Sequence, residues 1–456
     1  MINDTRKVPR ITWSVLLLTA ACASTGAAPG TGAAPATGAA PSTGAAPATG
    51  AAPATGTAAA PSTSAAPSTG APAAAGATAS VSPAIAPKPV VPALTPPARP
   101  GINPFKGGRF FVDPEFARMV EEVAAKTPAE AKRLRKLAKL PTAVWLETVE
   151  TAKLAAPTLE AAAKQAAAAG GPVVPVFVVY DLPNRDCAAE GSRGEFEVDN
   201  SGEARYQSEF IDVIAAAFAA HPKQRAVVVL EPDSLPNLVT NLELPRCAAA
   251  EQAYRRGVAY AISKLSLPNV SIYLDAAHAG WLGWPKNLPR AVKLFKEVID
   301  SAGGPDRIRG FALNVSNYDP VHLPGAKKGS PDEPSQDESG YAADFAAGLA
   351  KVGITGKGFI IDTSRNGKPN IRTSPGNWCN VKLAGLGERP KVAPDKNIDA
   401  YFWVKTPGES DGTSDPKAPR YDTNCSGDDA TPGAPQAGDL FAPYLVELVK
   451  NAAPPL

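Results

Sequence analysis

The chain has 456 residues, of which 46 are basic and 44 acidic, so its formal net charge is +2. This balance gives no electrostatic attraction to a polyanion, and we expect no nucleic-acid partner. Alanine, glycine and proline are abundant, but they are concentrated near the N-terminus and do not describe the part that folds.

The first residues have the pattern of an export signal. A basic stretch at 6–10 precedes an apolar run at 11–21, which is too short for a permanent membrane span. Two alanines directly precede Cys22, as in a bacterial lipoprotein processing site, although Thr19 stands where that pattern usually has leucine. We therefore predict a signal peptide at 1–22, and either lipidation of Cys22 or simple cleavage nearby remains open.

A low-complexity segment follows the predicted signal. It cycles through Thr-Gly-Ala-Ala-Pro and near copies, with no aromatic residue and no charge before Lys88. Such a composition cannot form an apolar core and favours an extended, polyproline-like chain. We predict a disordered linker at 23–100, open to O-glycosylation, that separates the folded part from its point of attachment.

The remaining residues, 101–456, are enough for one large α/β domain. Short apolar runs that end in polar residues alternate with alanine- and leucine-rich stretches of helical period. The predicted strands are 143–146, 174–180, 226–230, 270–274, 310–315, 358–361 and 400–404. The predicted helices are 157–169, 204–220, 248–265, 288–301, 341–352 and 441–451. Strands this apolar need cover on both faces, which indicates a parallel sheet, either open and doubly wound or closed into a barrel.

The residues at and just past the ends of these strands are acidic, basic, amide-bearing or aromatic. In chain order they are Trp145, Glu147, Tyr180, Asp181, Glu231, Asp233, Asp275, Asn314, Asn317, Asp362, Lys405, Glu409 and Asp411. A single acid after a strand is as often a helix N-cap as a functional group. Because the C-terminal ends of parallel strands share one edge, acids at six such ends together favour a ligand site there.

The side chains available limit the chemistry. His221, His278 and His322 are scattered, and the chain has no Gly-x-Ser-x-Gly elbow, phosphate-binding loop or dinucleotide fingerprint. Paired carboxyl groups with aromatic neighbours fit glycoside hydrolysis, and metal binding by the same carboxylates is the rival interpretation. We expect no cofactor and no metal.

Cysteines are few in this exported chain. If Cys22 is set aside, Cys187, Cys247, Cys379 and Cys425 remain, and an exported protein is expected to pair them. Four cysteines allow three connectivities, among which their spacing does not choose. No Cys-x-x-Cys pair is present, which argues against structural zinc.

Several longer motifs resemble glycoside hydrolase family 6. They are Y-D-L-P-N-R-D-C at 180–187, L-E-P-D-S-L at 230–235, N-L-V-T-N at 237–241, Y-L-D-A-A-H-A-G-W-L-G-W at 273–284, N-V-S-N-Y at 314–318, W-C-N at 378–380 and W-V-K-T-P-G-E-S-D-G-T-S-D at 403–415. The similarity covers nearly everything from Asn103 to the end. It implies an α/β fold, a distorted seven-stranded parallel β/α barrel (TIM-like) with its active site at the C-terminal strand ends.

The resemblance implies a catalytic role for five residues. Asp233 matches the acid that protonates the leaving oxygen, and Asp186 matches the carboxylate that raises the pKa of that acid. Asp411 matches the proposed base, whose role is debated and can involve a chain of waters at Ser192. Tyr180 matches a tyrosine that presses on the distorted sugar ring. The implied reaction inverts the anomeric carbon.

It also implies the substrate-binding residues and the disulfides. Those that match hydrogen-bonding residues are Glu147, where relatives often have aspartate, Asp275, His278, Asn317, Lys405 and Glu409. Those that match sugar-stacking platforms are Trp145, Trp281, Trp284 and Trp378, although without the resemblance core packing is the preferred interpretation of any single one of them. The implied disulfides are Cys187 with Cys247 and Cys379 with Cys425.

Two long loops bear on the mode of action. The segments 188–196 and 408–438 resemble the tunnel-forming version of the family, which favours a cellobiohydrolase that releases cellobiose from non-reducing ends of cellulose over an endo-β-1,4-glucanase. A catalytically silent glucan-binding protein at the cell surface, or activity on mixed-linkage β-glucan, would also fit these residues. The expected partners are β-1,4-glucan chains such as cellulose and cello-oligosaccharides. We expect a monomer, extracellular or held at the cell surface through Cys22.

Overall fold

The computed structural model describes residues 101–199, 201–326, 334–374 and 376–456. The predicted signal peptide, the predicted linker and Cys22 lie outside the described residues.

Ten strands are present in the described part of the chain. They are β1 (Arg109–Phe110), β2 (Val144–Leu146), β3 (Val173–Val174), β4 (Val176–Val179), β5 (Ala226–Leu230), β6 (Val270–Asp275), β7 (Gly310–Leu313), β8 (Gly358–Asp362), β9 (Lys391–Asp395) and β10 (Ile398–Phe402). All seven predicted strands appear, with ends displaced by no more than a few residues. The exception is the segment 174–180, which is divided between β3 and β4.

Twelve α-helices accompany these strands in the same residues. They are α1 (Pro114–Lys126), α2 (Ala131–Leu137), α3 (Val149–Ala152), α4 (Ala155–Ala169), α5 (Gly202–Arg205), α6 (Asp212–Ala220), α7 (Ser234–Thr240), α8 (Pro245–Leu265), α9 (Ala279–Leu282), α10 (Leu288–Ser301), α11 (Glu338–Lys351) and α12 (Ala442–Lys450). The predicted helix 204–220 is divided, because a π-helical segment, Tyr206–Ile211, joins α5 to α6. None of these helices is long and apolar enough to cross a membrane.

The main sheet has the order β2-β4-β5-β6-β7-β8-β10-β9, and all its pairs are parallel except β9 with β10. The sheet curls until its two ends meet, where the Ala143 amide donates to the carbonyl of Trp403 at 3.2 Å. The seven parallel strands thus form a distorted barrel, as predicted. β9 was not predicted, because its residues alternate between exposed and half-buried positions and include a proline.

The two faces of the strands bury different apolar clusters. In β4, Val176 and Val178 point into the barrel, whereas Phe177 and Val179 pack with the covering helices. β5 repeats the alternation, with Val227 inside. Phe105 joins the interior cluster near the N-terminal ends of the strands, where the Arg225 side chain holds the preceding carbonyl of Pro104. This packed interior leaves only the C-terminal ends of the strands available for a ligand.

The covering helices follow their apolar spacing. α10 has a proline in its first turn, where a backbone N–H would have no partner within the helix. The helix buries Val292, Phe295 and Ile299 along one face. α11 begins at Asp337, whose carboxylate accepts from the Gly340 amide as an N-cap. α7 and α9, which were not predicted, are short helices that start directly after β5 and β6 and therefore border the open end of the barrel.

Candidate active site

A cavity of about 540 Å³ lies at the C-terminal ends of the barrel strands. It brings together every catalytic and substrate-binding residue implied by the family resemblance except Asp275. Those residues are Trp145, Glu147, Tyr180, Asp186, Ser192, Asp233, His278, Trp281, Trp284, Asn317, Trp378, Lys405, Glu409 and Asp411. Positions spread over more than 260 residues of sequence therefore share one site.

Asp275 lies below the cavity and supports its floor. Its side chain is buried, and Oδ2 accepts from the Asp233 amide at 3.0 Å and from the Ala277 amide at 3.2 Å. Burial raises the pKa of Asp275 to about 7, although both amide bonds oppose that rise. In this structure Asp275 fixes the backbone under Asp233 rather than facing the cavity.

Two other acids at strand ends also accept hydrogen bonds from backbone amides. Asp362 accepts from four amides, those of Ser316, Ser364, Val404 and Lys405, at 2.9–3.2 Å. Glu231 accepts from the Asp181 and Leu182 amides at 3.3 Å and from the Tyr206 hydroxyl at 2.8 Å. Each buried carboxyl ties the end of its own strand to a neighbouring loop. The acidic strand ends thus form two layers, one lining the cavity and one beneath it.

Asp233 occupies the N-cap position of α7 without acting as a cap. Its backbone is left-handed, with φ 63°, and its side chain makes no capping hydrogen bond. The carboxyl group is therefore free to face the cavity. Burial, followed by the nearby charges of Asp186, Asp275 and Asp411, raises the pKa of Asp233 well above its ordinary value. This is the property required of a group that must hold a proton for a leaving oxygen.

Left-handed backbone recurs where the strands open into the site. Asn184, Asp186, Glu231, Asn314 and Ser316 all have φ between 48° and 61°. Such conformations cost free energy in non-glycine residues and persist only when the surroundings hold them. The hydrogen bonds from Asp362 and Glu231 supply part of that hold.

Asp186 lies beside Ser192 under a loop that Arg185 organises. Burial raises the pKa of Asp186 to about 6, while Arg185 and a hydrogen bond with Ser192 act in the opposite direction. The Arg185 guanidinium donates to the carbonyls of Glu147, Tyr180 and Ser192 at 2.6–2.8 Å. It thereby fixes the relative positions of two strand ends and the Ser192 loop.

Asp411 is held as an anion. Its burial alone would raise its pKa, but Arg365 and Lys405 outweigh that effect, and the pKa is lowered. Arg365 Nη1 donates to Asp411 Oδ2 at 2.6 Å, and the Asn380 amide donates to the same oxygen at 2.8 Å. Lys405 Nζ lies 3.6 Å from Oδ1.

Lys405 connects Asp411 to the opposite end of the cluster. Its ammonium group is 3.8 Å from Glu409 Oε1 and lies 5.3 Å from the centre of the Trp145 ring. Burial raises the pKa of Glu409 to about 7, against the opposing effect of Lys405. The site therefore combines ionised and protonated carboxyl groups around one lysine.

The aromatic side chains of the cavity are placed for contact with a ligand. Trp145, Trp281 and Trp378 are partly exposed and Trp284 is 38% exposed, and all four line the cavity. Trp145 and Trp281 also pack against the apolar core with part of their surface. Trp145 meets the Tyr180 ring edge to face with the ring centres 5.8 Å apart. Flat apolar rings beside hydrogen-bonding groups suit the faces and edges of pyranose sugars.

Two loops meet beside the Asp411 carbonyl, and we call them the first roof loop, 188–196, and the second roof loop, 408–438, which carries Asp411 itself. The Glu190 amide donates to Asp422 Oδ2 at 2.9 Å across the gap. Gly191 fits closely, because a Cβ there would lie 3.1 Å from the Asp411 carbonyl and 3.4 Å from the Trp378 ring. Both loops also line the cavity, the first with Ala188, Ala189 and Ser192 and the second with Arg420, Ala437 and Gly438, so these contacts join two of its walls.

The two disulfides anchor both roof loops. Cys187–Cys247 ties the start of the first loop to α8, and Cys379–Cys425 ties the second loop to the segment that carries Trp378. These are the pairings that the resemblance implied. A closed loop has less conformational entropy to lose, so each bond favours the roofed arrangement.

One group of side chains in the described residues has the composition of a metal site. His278, Asp319 and Glu338 offer ligand atoms within 4.8 Å of one another. His278 Nδ1 and Asp319 Oδ2 are 2.6 Å apart, however, so these two atoms are engaged in a hydrogen bond with each other. Arg372 already neutralises Asp319. The group is built as a hydrogen-bonded network.

Sequence reasoning missed several residues that shape the site. Arg365 follows β8 in a Ser-Arg-Asn-Gly segment that carries no recognisable signal. Asn380 lies inside the W-C-N motif, and Arg185 inside the N-R-D-C motif, but the resemblance gives neither a role. Asp319 directly follows the N-V-S-N-Y motif, so the motif's neighbourhood could have identified it.

A parallel barrel whose strand ends carry paired carboxyl groups between exposed tryptophans defines a glycoside hydrolase. The chain belongs to the glycosyl hydrolases family 6, whose family model matches residues 105–452.

Relatives and solved structures agree with this membership. "Putative endoglucanase type B" of Fusarium oxysporum is 43% identical over 356 residues, which cover 77% of each chain. Exoglucanase 3 of Agaricus bisporus is 42% identical over 358 residues, covering 78% of this chain and 80% of the relative. The structure of cellobiohydrolase II (Cel6A) from Humicola insolens in complex with glucose and cellotetraose matches with a TM-score of 0.74 and 38% identity, over 78% of this chain and all of that one.

Proposed function

We propose that this chain hydrolyses β-1,4-glucosidic bonds of cellulose and cello-oligosaccharides with inversion, as a cellobiohydrolase that releases cellobiose from non-reducing ends. The observation that supports this most directly is the contact between the two roof loops, which both line the cavity and are joined by the Glu190 amide that donates to Asp422. A roofed site accepts a chain end more readily than the middle of a polymer.

The acid in this proposal is Asp233. Its carboxyl group is free of capping bonds, and its raised pKa favours the protonated form that a proton donor needs. The proton passes to the oxygen between two glucose units as the bond to the anomeric carbon breaks. Burial, together with the nearby acidic charges, keeps this donor in the form that can give up a proton.

We assign the activation of the attacking water to Asp186. Asp411 is tightly paired with Arg365 and Asn380, and its lowered pKa makes it a weak base. Asp186, with a pKa of about 6 and a hydrogen bond with Ser192, is the better proton acceptor through an intervening water. Asp411 then contributes a fixed negative charge that stabilises the oxocarbenium-like transition state.

Substrate placement follows from the walls of the cavity. Trp145, Trp281, Trp284 and Trp378 offer faces on which successive glucose rings stack. Polar groups between them, from Glu147, His278, Asn317, Lys405 and Glu409, hydrogen-bond the sugar hydroxyls, and Tyr180 presses on the ring at the point of cleavage. Asp275 acts from below by fixing the Asp233 backbone.

Products separate the exo and endo modes. We expect cellohexaose to yield cellobiose as the dominant product at all times, with little loss of viscosity from carboxymethyl cellulose. Rapid thinning of carboxymethyl cellulose would instead assign an endoglucanase, the function named for the Fusarium oxysporum relative. A silent glucan-binding protein would bind cellohexaose without forming any product.

The setting of the enzyme is a separate part of the proposal. The two disulfides fit an oxidising compartment, which supports export by the signal at 1–22. The linker at 23–100 then holds the catalytic domain, 101–456, as an extracellular monomer or tethers it to a membrane through lipidated Cys22. Labelling of cells with a palmitate analogue tests the tether, since wild type but not Cys22→Ser should carry the label.

A further inference from the structure

Asp319 lies directly behind one wall of the cavity. Its Oδ2 accepts from His278 Nδ1 at 2.6 Å and from the Gly280 amide at 3.0 Å, and its Oδ1 accepts from the Arg372 guanidinium. The side chain is 13% exposed and is absent from the cavity lining, whereas those of His278 and Arg372 face the cavity. One carboxylate therefore holds two cavity-lining side chains.

Asp319 is itself rigidly placed. Its amide donates to Asn314 Oδ1 at 3.1 Å, and its carbonyl accepts from the side-chain amides of Asn314 and Asn366, both at 3.0 Å. These bonds attach it to the end of β7, whose Leu313 precedes Asn314. A carboxylate fixed in this way can define the positions of its partners.

The network continues from Asp319 to a third lining residue. Arg372 Nη1 donates to Asn317 Oδ1 at 3.1 Å while its other nitrogen binds Asp319. The Asn317 side-chain oxygen is thereby occupied, and its NH₂ group is left for a ligand. Arg372 thus links the loop after β7 to the segment before Trp378.

The turn that carries His278 is held by a second acid. Glu338 Oε1 accepts from the Ala279 amide at 2.8 Å, next to the Gly280 amide bound by Asp319. An ionised Asp319 can only accept hydrogen bonds, so the proton of neutral His278 must sit on Nδ1. Its Nε2 is then a free acceptor for a hydroxyl group.

We propose that Asp319 is a positioning residue for substrate binding, one that fixes the tautomer of His278 and, through Arg372, the orientation of Asn317 on the same wall. The inference rests on the proposed function, since it takes sugar hydroxyls as the groups that His278 and Asn317 meet. Asp319 acts on affinity for the glucan more than on the bond-breaking step, because it touches none of the reacting groups.

Steady-state kinetics on cellohexaose test this role. We expect Asp319→Ala to raise KM about tenfold while kcat stays within about threefold of wild type. Asp319→Asn offers one acceptor oxygen to three donors, so its KM should lie between those of wild type and Asp319→Ala. The exposed Asp300, paired with Lys296 on α10, supplies the matched control Asp300→Ala, for which neither constant should change.

A double-mutant cycle separates positioning from general destabilisation. The KM of Asp319→Ala/His278→Ala should exceed that of His278→Ala by no more than about threefold, the share expected from the Arg372 arm, because the rest of the effect of the acid passes through the histidine. A double variant whose KM increase equals the product of the two single increases, or an Asp319→Ala enzyme with unchanged KM, would overturn the proposal. If Asp319→Ala does not fold, Arg372→Gln serves instead: a KM raised about threefold supports the network, and an unchanged KM contradicts it.

The tautomer can be read without turnover. The chain has three histidines, so ¹⁵N NMR of the imidazole rings, assigned with His278→Ala, should show neutral His278 protonated on Nδ1 in the wild-type protein. Protonation on Nε2 would refute the assignment even in an active enzyme. If wild type neither binds nor cleaves cellohexaose, the proposed function fails, while the NMR result still stands on its own.

Discussion

Arg365 Nη1 donates to Asp411 Oδ2 at 2.6 Å, and the two side chains are only 1% and 6% exposed. Arg365 also binds the Ser316 carbonyl and lies over the Tyr318 ring. A buried ion pair with this many partners favours the ionised form of Asp411, whose pKa is lowered although burial opposes that change. Asp411 is therefore the carboxylate of the cluster that is least able to take up a proton.

Loss of Arg365 should destabilise the fold. We expect Arg365→Gln to lower the free energy of unfolding by about 3–5 kcal/mol, because it leaves the buried Asp411 charge without its main partner. Urea unfolding of the full chain measures the change. In Arg365→Gln/Asp411→Asn the charge is removed as well, and part of the stability should return. A single variant within about 1 kcal/mol of wild type would contradict the assigned importance of the pair.

Removal of the Asp186 charge should shift the pH profile. Asp186→Asn also removes the proposed acceptor of the water's proton, so kcat/KM should fall strongly and the pH profile is read on the residual activity. Because an ionised Asp186 raises the pKa of Asp233, the alkaline limb of that residual activity should move down by about one pH unit. The exposed Glu190 of the first roof loop gives the control, since Glu190→Gln should leave the limb in place. An alkaline limb that does not move in Asp186→Asn would disprove the electrostatic coupling.

Opening the roof should change the mode of attack. Asp422→Ala removes the acceptor for the Glu190 amide and loosens the contact between the roof loops. We expect the rate of viscosity loss from carboxymethyl cellulose, divided by the rate of cellobiose release from cellohexaose, to be several-fold higher than in wild type. Asp415→Ala removes another loop acid, one that caps the Lys417 amide away from the contact, and should behave as wild type. Equal viscosity loss in the two variants would argue against a roof closed by this contact.

Stability should decline as the pH rises. Burial raises the pKa of Glu231 from 4.5 to about 7, so the native state holds a proton that the unfolded chain releases above about pH 4.5. The associated stability is complete below pH 4.5 and is lost as the pH rises through 7. Between pH 5 and pH 8 the free energy of unfolding, measured with urea, should fall by roughly 2–3 kcal/mol less in Glu231→Gln than in wild type.

The control for this titration is Asp395. This exposed acid has a lowered pKa and completes its titration below the same window, so Asp395→Asn should retain the wild-type slope. A Glu231→Gln variant with the wild-type slope would show that Glu231 is already ionised in the native state at pH 5.

Strand positions were predictable because the barrel strands are unusually apolar. β5 consists of Ala-Val-Val-Val-Leu, every residue of it buried, and no other element type suits so short a β-branched run. β9 could not be predicted in the same way, since its residues face solvent in alternation and it pairs only along the barrel edge.

The two layers of acids were not separable from sequence. Asp233 and Glu231 stand two residues apart after the same strand, yet one lines the cavity and the other binds backbone beneath it. Left-handed conformations at both positions redirect the side chains, and period-two alternation says nothing about a turn of that kind. Arg365 was invisible for a related reason, because its ion pair joins segments that only the closed barrel brings together.

The most direct test of the account is the reaction of Asp233→Ala with cellohexaose, followed by proton NMR of the anomeric signals. Wild type should release cellobiose first as the α-anomer, the inverted product, and Asp233→Ala should be slower by about 100-fold or more while it still binds the oligosaccharide. Initial release of the β-anomer, or hydrolysis by Asp233→Ala at the wild-type rate, would contradict the assignment of Asp233 as the acid of an inverting cellulase.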